Sequence, residues 1–205
     1  MRIGILGGTF NPIHNTHLDI ARAACDRFRL DLLLFIPAKT PPHKRADLDL
    51  APAKDRLAMV ALAIASIKSA EVSDLELNRP GPSFTFDTLV ALRIRFGPEA
   101  EFFFILGSDQ LLELPTWRRA AELVRLCRFV SVERPGHSLK SLDALAGKLP
   151  EDVLRSLRDD ALEMPASTIS ATDIRRRLAA GEDVSSMVPE SVLDYIRQHK
   201  LYQPA

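Results

Sequence analysis

Short continuous apolar runs alternate along the whole chain with stretches in which apolar residues recur every three or four positions. Residues 2–6 (RIGIL), 32–36 (LLLFI), 102–106 (FFFIL) and 129–132 (FVSV) are runs of four or five. That is the length of strands buried on both faces. Residues 72–77 alternate apolar and polar and predict a further strand, and 162–164 predict a last short one. Between the runs the period is helical. Leu18, Ala21, Arg22, Cys25 and Phe28 mark a first helix; 52–66 a second, with Leu57, Val60, Ala61 and Ile64 along its inward face. A third covers 83–96, with Ser83 or Thr85 as its cap and Leu89, Leu92 and Phe96 inward, and a fourth covers 117–126. Residues 139–157 predict one or two amphipathic helices. The last helices span 171–180, stopped by Gly181, and 189–198, with Val192, Tyr195 and Ile196 on one face. Strand and helix in strict alternation predict an α/β fold, a doubly wound parallel sheet with right-handed crossovers. The last two helices are expected as a small C-terminal cap, and residues 1–205 as one domain.

Composition narrows this only a little. Of 205 residues, 46% are hydrophobic and 26% charged, as in ordinary globular proteins, and 27 basic residues balance 27 acidic ones. Overall charge therefore argues for neither nucleic acid nor a membrane surface as partner, and any basic site must be local. Cys25 and Cys127 lie far apart in apolar surroundings and read as reduced core thiols of a cytoplasmic protein. The N-terminal residues carry no signal-peptide pattern, and no apolar run approaches the roughly 20 residues of a membrane span.

The chemistry concentrates in the first seventeen residues, MRIGILGGTFNPIHNTH. The apolar run is expected to break at Gly7 and Gly8, and residues 9–12 to turn before the first helix. His14 and His17 then fall at the helix start, where free backbone N–H groups and the positive end of the dipole attract phosphate. Other readings are weaker. The glycines do not form G-x-G-x-x-G in any register. A single H-x-x-H offers a zinc ion two ligands where three or four are usual. Two surface histidines capping a helix are a third alternative.

Two later stretches belong with this one. Residues 38–45 (AKTPPHKR) form a basic, proline-stiffened loop after the second strand, placing Lys39, His43, Lys44 and Arg45 where ligands bind in open parallel sheets. In ISATDIR, residues 169–175, Ser170 and Asp173 have capping-box spacing, which needs no ligand. Arg175, Arg176 and Arg177 so near a helix start are unfavourable unless an anion lies there, and Thr172 and Arg175 share a face on which to clasp it.

The stretch GGTFNPIHNTH resembles the G-G-T-F-D-P-x-H-x-G-H signature of nucleotidyltransferases, with Asn11 in place of Asp and Thr16 in place of Gly. ISATDIR resembles their late I-S-S/A-T-x-I-R signature. Residues 82–88 (PSFTFDT) resemble the P-S-Y-T-x-D-T segment of nicotinate-nucleotide adenylyltransferases. Gly107-Ser108-Asp109 with Leu114-Pro115-Thr116-Trp117 resembles their G-x-D…L-P-x-W segment. Pro41-Pro42-His43-Lys44 and Arg134-Pro135-Gly136 match two of their loops, so the resemblance runs from Arg2 to about Tyr202. It implies a Rossmann-like nucleotidyltransferase fold and adenylyl transfer from ATP to nicotinate mononucleotide, with Mg²⁺ and without a protein metal site. His14, His17, Lys44 and Arg175 would be catalytic. Gly7, Gly8, Thr9, Phe10, Ser170 and Thr172 would join His14, His17 and Arg175 in binding ATP. Thr85 and Trp117 would hold the nicotinate ring, with Lys44, Asp109 and Arg134 on the mononucleotide. Pantetheine-phosphate adenylyltransferase shares the first signature and remains an alternative. So does a nucleotide-sensing module without turnover, which Thr16 keeps open.

Overall fold

The computed structural model describes residues 1–39, 50–132, 139–165 and 167–203. His43, Lys44, Arg45 and Arg134 lie outside them. Five parallel strands form one sheet in the order β3-β2-β1-β4-β5: β1 (Arg2–Gly8), β2 (Leu32–Pro37), β3 (Ala70–Val72), β4 (Glu101–Gly107) and β5 (Arg128–Val132). The chain winds outward from β1 through β2 to β3, then returns to place β4 on the other side of β1. Beyond β5, the predicted strand at 162–164 is reduced to one parallel bridge from Leu162 to Val132.

Helices cover both faces, which is why the strands show no polar alternation. On one side, Leu6, Phe35, Phe103 and Ile105 pack against α1 (Asn15–Phe28), α2 (Ala53–Ile64), α7 (Ala171–Ala179) and α8 (Glu190–Gln198). The last two helices thus close this face through Ile174, Val192, Leu193 and Ile196. On the other side, Ile5, Leu34, Phe102 and Phe104 meet α3 (Thr85–Phe96), α5 (Ala120–Leu126) and α6 (Glu151–Asp159), with α4 (Ser108–Leu111) as a single turn after β4. Among the described residues no helix is long and apolar enough to cross a membrane.

Four further expectations need correction. β1 does not break at the glycines: Gly7 and Gly8 continue the strand opposite Ile36 and Pro37. The strand expected at 72–77 ends at Val72. Its alternation arises because Leu75 packs on the core while Glu76 turns in to accept a 2.6 Å hydrogen bond from the Thr88 hydroxyl. The helix expected from 117 begins at Ala120, because Pro115 starts a 3-10 turn at Leu114–Thr116 and Arg119 then takes a left-handed conformation (φ 56°). On α2 the inward face is rotated. Asp55, Arg56, Met59, Val60, Ala63 and Ile64 are buried, while Ala61 is exposed. Two charged residues take the inward positions because each finds partners there. Asp55 accepts from the Tyr195 hydroxyl, and Arg56 reaches three backbone carbonyls.

Candidate active site

A cleft of about 560 Å³ opens beyond the C-terminal ends of β1 and β4, where the strand order reverses direction. In open parallel sheets that crevice is the usual ligand site. Gly7, Gly8, Thr9 and His17 line one side; Thr85, Asp109 and Trp117 line the other. These residues, separated by up to 110 positions, are the part of the expected site that the fold brings together.

The β1 side is built by packing. Neither Gly7 nor Gly8 has a positive φ, so torsional freedom is not what they supply. A Cβ on Gly8 would lie 3.1 Å from the Phe10 ring, tighter than ordinary packing allows. Glycine thus lets Phe10, itself left-handed at φ 48° and 2% exposed, fold back over the strand end. The Phe10 ring then meets His17 edge-on, 5.1 Å between centroids. Phe10 is a buried support rather than a cleft-lining residue.

His14 is the N-cap of α1 and is 6% exposed; its ring lies 3.8 Å behind that of His17. The His14 backbone N–H donates to His17 Nδ1 at 3.2 Å. A neutral imidazole whose Nδ1 accepts carries its proton on Nε2, so His17 offers Nε2–H as a donor. Free amides at this helix start are fewer than expected. Asn15 N–H donates to the Met187 carbonyl at 2.9 Å and His17 N–H to the His14 carbonyl at 2.9 Å. An anion bound here would therefore meet the imidazole rather than a cradle of backbone groups.

On the opposite side, Thr85 opens α3, so the amides of Thr85, Phe86 and Asp87 have no acceptor within the helix. The Thr88 hydroxyl donates to Glu76 and accepts from the Arg79 guanidinium at 3.1 Å, which fixes this helix start. Trp117 stands edge-on to Phe104, centroids 6.2 Å apart and planes at 84°. Arg118, which the motifs did not single out, also lines the cleft. It pairs with Asp87 at 2.8 Å and lies over the Phe84 ring at 4.9 Å, adding a cation beside Thr85. Its sequence signal was only adjacency to Trp117.

The remaining expected residues lie elsewhere. Ser170 caps α7 by accepting from the Asp173 N–H at 3.1 Å, and it is exposed, as is Thr172. The excess of arginines there has a local answer: Asp173 pairs with both Arg176 and Arg177. Arg175 alone crosses to the first stretch, donating to the Asn11 carbonyl at 3.0 Å. The Lys39 backbone N–H donates to Ser83 Oγ and its ammonium to the Arg79 carbonyl at 3.4 Å, so it leans toward the 79–83 loop.

Comparison with known proteins gives this arrangement a family. A cytidylyltransferase-like family model matches residues 5–177. A probable nicotinate-nucleotide adenylyltransferase from Synechococcus sp. is 44% identical over 203 residues, covering 98% of this chain and 94% of its own. The corresponding protein of Moorella thermoacetica is 41% identical over 203 residues, covering 99% and 92%. The chain belongs to the nicotinate-nucleotide adenylyltransferase family. The adenylyltransferase fold extends to distant relatives. The nicotinic acid mononucleotide adenylyltransferase of Plasmodium falciparum, solved in complex with NaAD, superposes with a TM-score of 0.77 at 21% identity, covering 98% of this chain and 97% of its own.

Proposed function

We propose that this enzyme transfers the adenylyl group of ATP to nicotinate mononucleotide, releasing pyrophosphate and forming nicotinate adenine dinucleotide for NAD biosynthesis. The observation that carries the reading is the division of one cleft into two sides. His17 and the β1 glycines suit a phosphate chain; Thr85 and Trp117 suit a flat ring bearing a carboxylate. In the reaction a phosphate oxygen of the mononucleotide attacks the α-phosphorus of ATP, and the bond to the β-phosphate breaks. The attacking oxygen is already anionic at neutral pH, so no side chain need act as base. The chain's contribution is in-line positioning and stabilisation of charge growing on phosphorus. His17 Nε2–H is the donor aimed at that charge, with His14 behind it. By the motif resemblance, Arg175 and Lys44 would act on the pyrophosphate and Asp109 and Arg134 on the mononucleotide; Lys44 and Arg134 lie outside the described residues.

Nucleotidyl transfer from ATP uses a divalent cation, here taken to be Mg²⁺. Among the described residues no group of three or more His, Cys, Asp or Glu is placed to hold a metal. The proposed ion keeps phosphate and water ligands and arrives with the nucleotide. Such an ion would offset charge on the departing pyrophosphate.

Acid over amide preference follows from the α3 start. A carboxylate near unpaired helix amides, and accepting charge-assisted hydrogen bonds, gains about 1.5–3 kcal/mol or more over a neutral amide. Wild-type enzyme is therefore expected to favour the acid by roughly 10- to 1000-fold in kcat/KM. Thr85→Ala keeps the backbone donors and should erode that ratio about three- to tenfold. Trp117→Ala should weaken both mononucleotides alike and spare ATP, since both rings are cationic. The deciding assay is pyrophosphate release from ATP with the acid, the amide and phosphopantetheine as acceptors. Equal use of acid and amide would remove Thr85 from recognition; turnover only with phosphopantetheine would overturn the reading.

A further inference from the structure

Thr16 stands where related signatures carry glycine, and the structure gives its hydroxyl a partner far along the chain. Thr16 Oγ1 lies 2.7 Å from Ser167 Oγ, a contact across 151 residues. Ser167 Oγ also accepts the N–H of Ile169 at 3.2 Å, just before Ser170 caps α7. Thr16 is in the first turn of α1, next to His17; Ser167 leads directly into the segment ending at Arg175. Ile174 of the same segment is fully buried against the α1 side of the sheet, while Asn15 Nδ2 ties α1 to the Ser186 carbonyl beyond α7 at 3.0 Å.

We propose that Thr16 is a positioning residue for ATP. Its hydroxyl pair with Ser167 sets the distance between His17 and Arg175, which the proposed function assigns to the α-phosphorus and the pyrophosphate of one nucleotide. The inference rests on the reading of both as ATP-binding. A glycine at this position would leave the α7 start held by the Arg175 hydrogen bond and by core contacts such as those of Ile174 and Ile169. One mid-strength hydrogen bond is worth about 1 kcal/mol, so the pair corresponds to a three- to tenfold change in ATP affinity. The mononucleotide side of the cleft touches neither hydroxyl and is unaffected.

The experiment uses Thr16→Val, which keeps the shape and removes the hydroxyl, Ser167→Ala, the double variant and Thr16→Ser. ATP dissociation constants are measured by calorimetry and KM values for both substrates in the pyrophosphate assay. Each single variant is expected to raise the ATP dissociation constant and KM about three- to tenfold, with the mononucleotide KM unchanged. The double variant should be no worse than either single one, the mark of a shared contact, and Thr16→Ser should restore wild-type values. Wild-type ATP affinity in Thr16→Val, additive losses in the double variant, or equal shifts for both substrates would each overturn the proposal. If Thr16→Val does not fold, Ser167→Ala carries the same comparison. Calorimetry with ATP alone separates the two failures. An enzyme that binds ATP but does not turn over nicotinate mononucleotide contradicts the proposed function and still reports on the Thr16 pair.

Discussion

His17→Ala is expected to lower kcat by about 10²–10³-fold, or roughly 3–4 kcal/mol of lost transition-state stabilisation. The geometry makes the side chain a preset donor. The His14 N–H holds Nδ1, the His14 ring backs the imidazole and the Phe10 edge fixes its tilt. Little reorganisation is left for the moment of reaction, the condition under which a single donor matters most. The fold should lose some stability as well, because the side chain gives up the Phe10 and His14 ring contacts and the hydrogen bond from the His14 N–H, each worth about 0.5–1.5 kcal/mol. Steady-state kinetics on a variant shown to be folded below its melting transition make the check. A kcat within a few-fold of wild type would exclude His17 from the chemistry.

Arg56→Met is expected to lower stability by about 3 kcal/mol or more. The guanidinium is 1% exposed and donates to Ala51 at 3.1 Å and to Thr9 and Ala38 at 2.7 Å each. Burial pushes its pKa down, yet arginine remains charged, and the carbonyls replace its hydration. Methionine fills a similar volume but leaves three carbonyls without that donor, each costing about 1–3 kcal/mol where water cannot reach. For a chain of this size the melting temperature should fall by roughly 6–12 °C. Arg56→Lys should recover only part, because an ammonium cannot reproduce the planar fork that spans three acceptors. Activity should fall too, since Thr9 lines the cleft and its carbonyl is one of the three. A melting temperature within 2 °C of wild type, read by calorimetry as about 1 kcal/mol or less, would contradict this account.

The elements legible from sequence were those whose pattern has one cause. Residues 32–36 and 102–106 are unbroken apolar runs because both faces of a central parallel strand are buried, and runs this short, closed by Pro37 and Gly107, favour strand over buried helix. Where two causes overlap, pattern misleads. Alternation at 72–77 mixes one core contact with one buried carboxylate, and α2 turns inward on Asp55 and Arg56, which a hydrophobic period assigns to solvent. In the site, Gly7, Gly8, His17, Thr85 and Trp117 were legible as fixed motifs, and the structure places them on one cleft. The supports behind them were not. Thr16 with Ser167, Asn11 with Arg175, and Asn11 with Tyr202 join residues more than 150 apart; Asn11, Thr16 and Arg175 stand in recognisable motifs, but no motif says which distant residue each one meets.

Asn11 shows what such distances mean for the order of events during synthesis. Its side-chain oxygen accepts from the Ala51 N–H at 3.0 Å and from the Tyr202 hydroxyl at 2.8 Å, the latter across 191 residues. Burial raises the Tyr202 pKa and keeps that phenol a donor. A ribosome adding 5–20 residues per second makes Tyr202 roughly 10–40 s after Asn11. In that interval β1, β2 and α2 can assemble, with Arg56 already joining Thr9 to Ala38 and Ala51. The turn bearing the histidines still lacks the Ser167, Arg175 and Tyr202 contacts. The β1 end of the cleft is therefore begun first and completed last, and a nascent chain stalled before residue 167 holds a sheet without the contacts that fix that end.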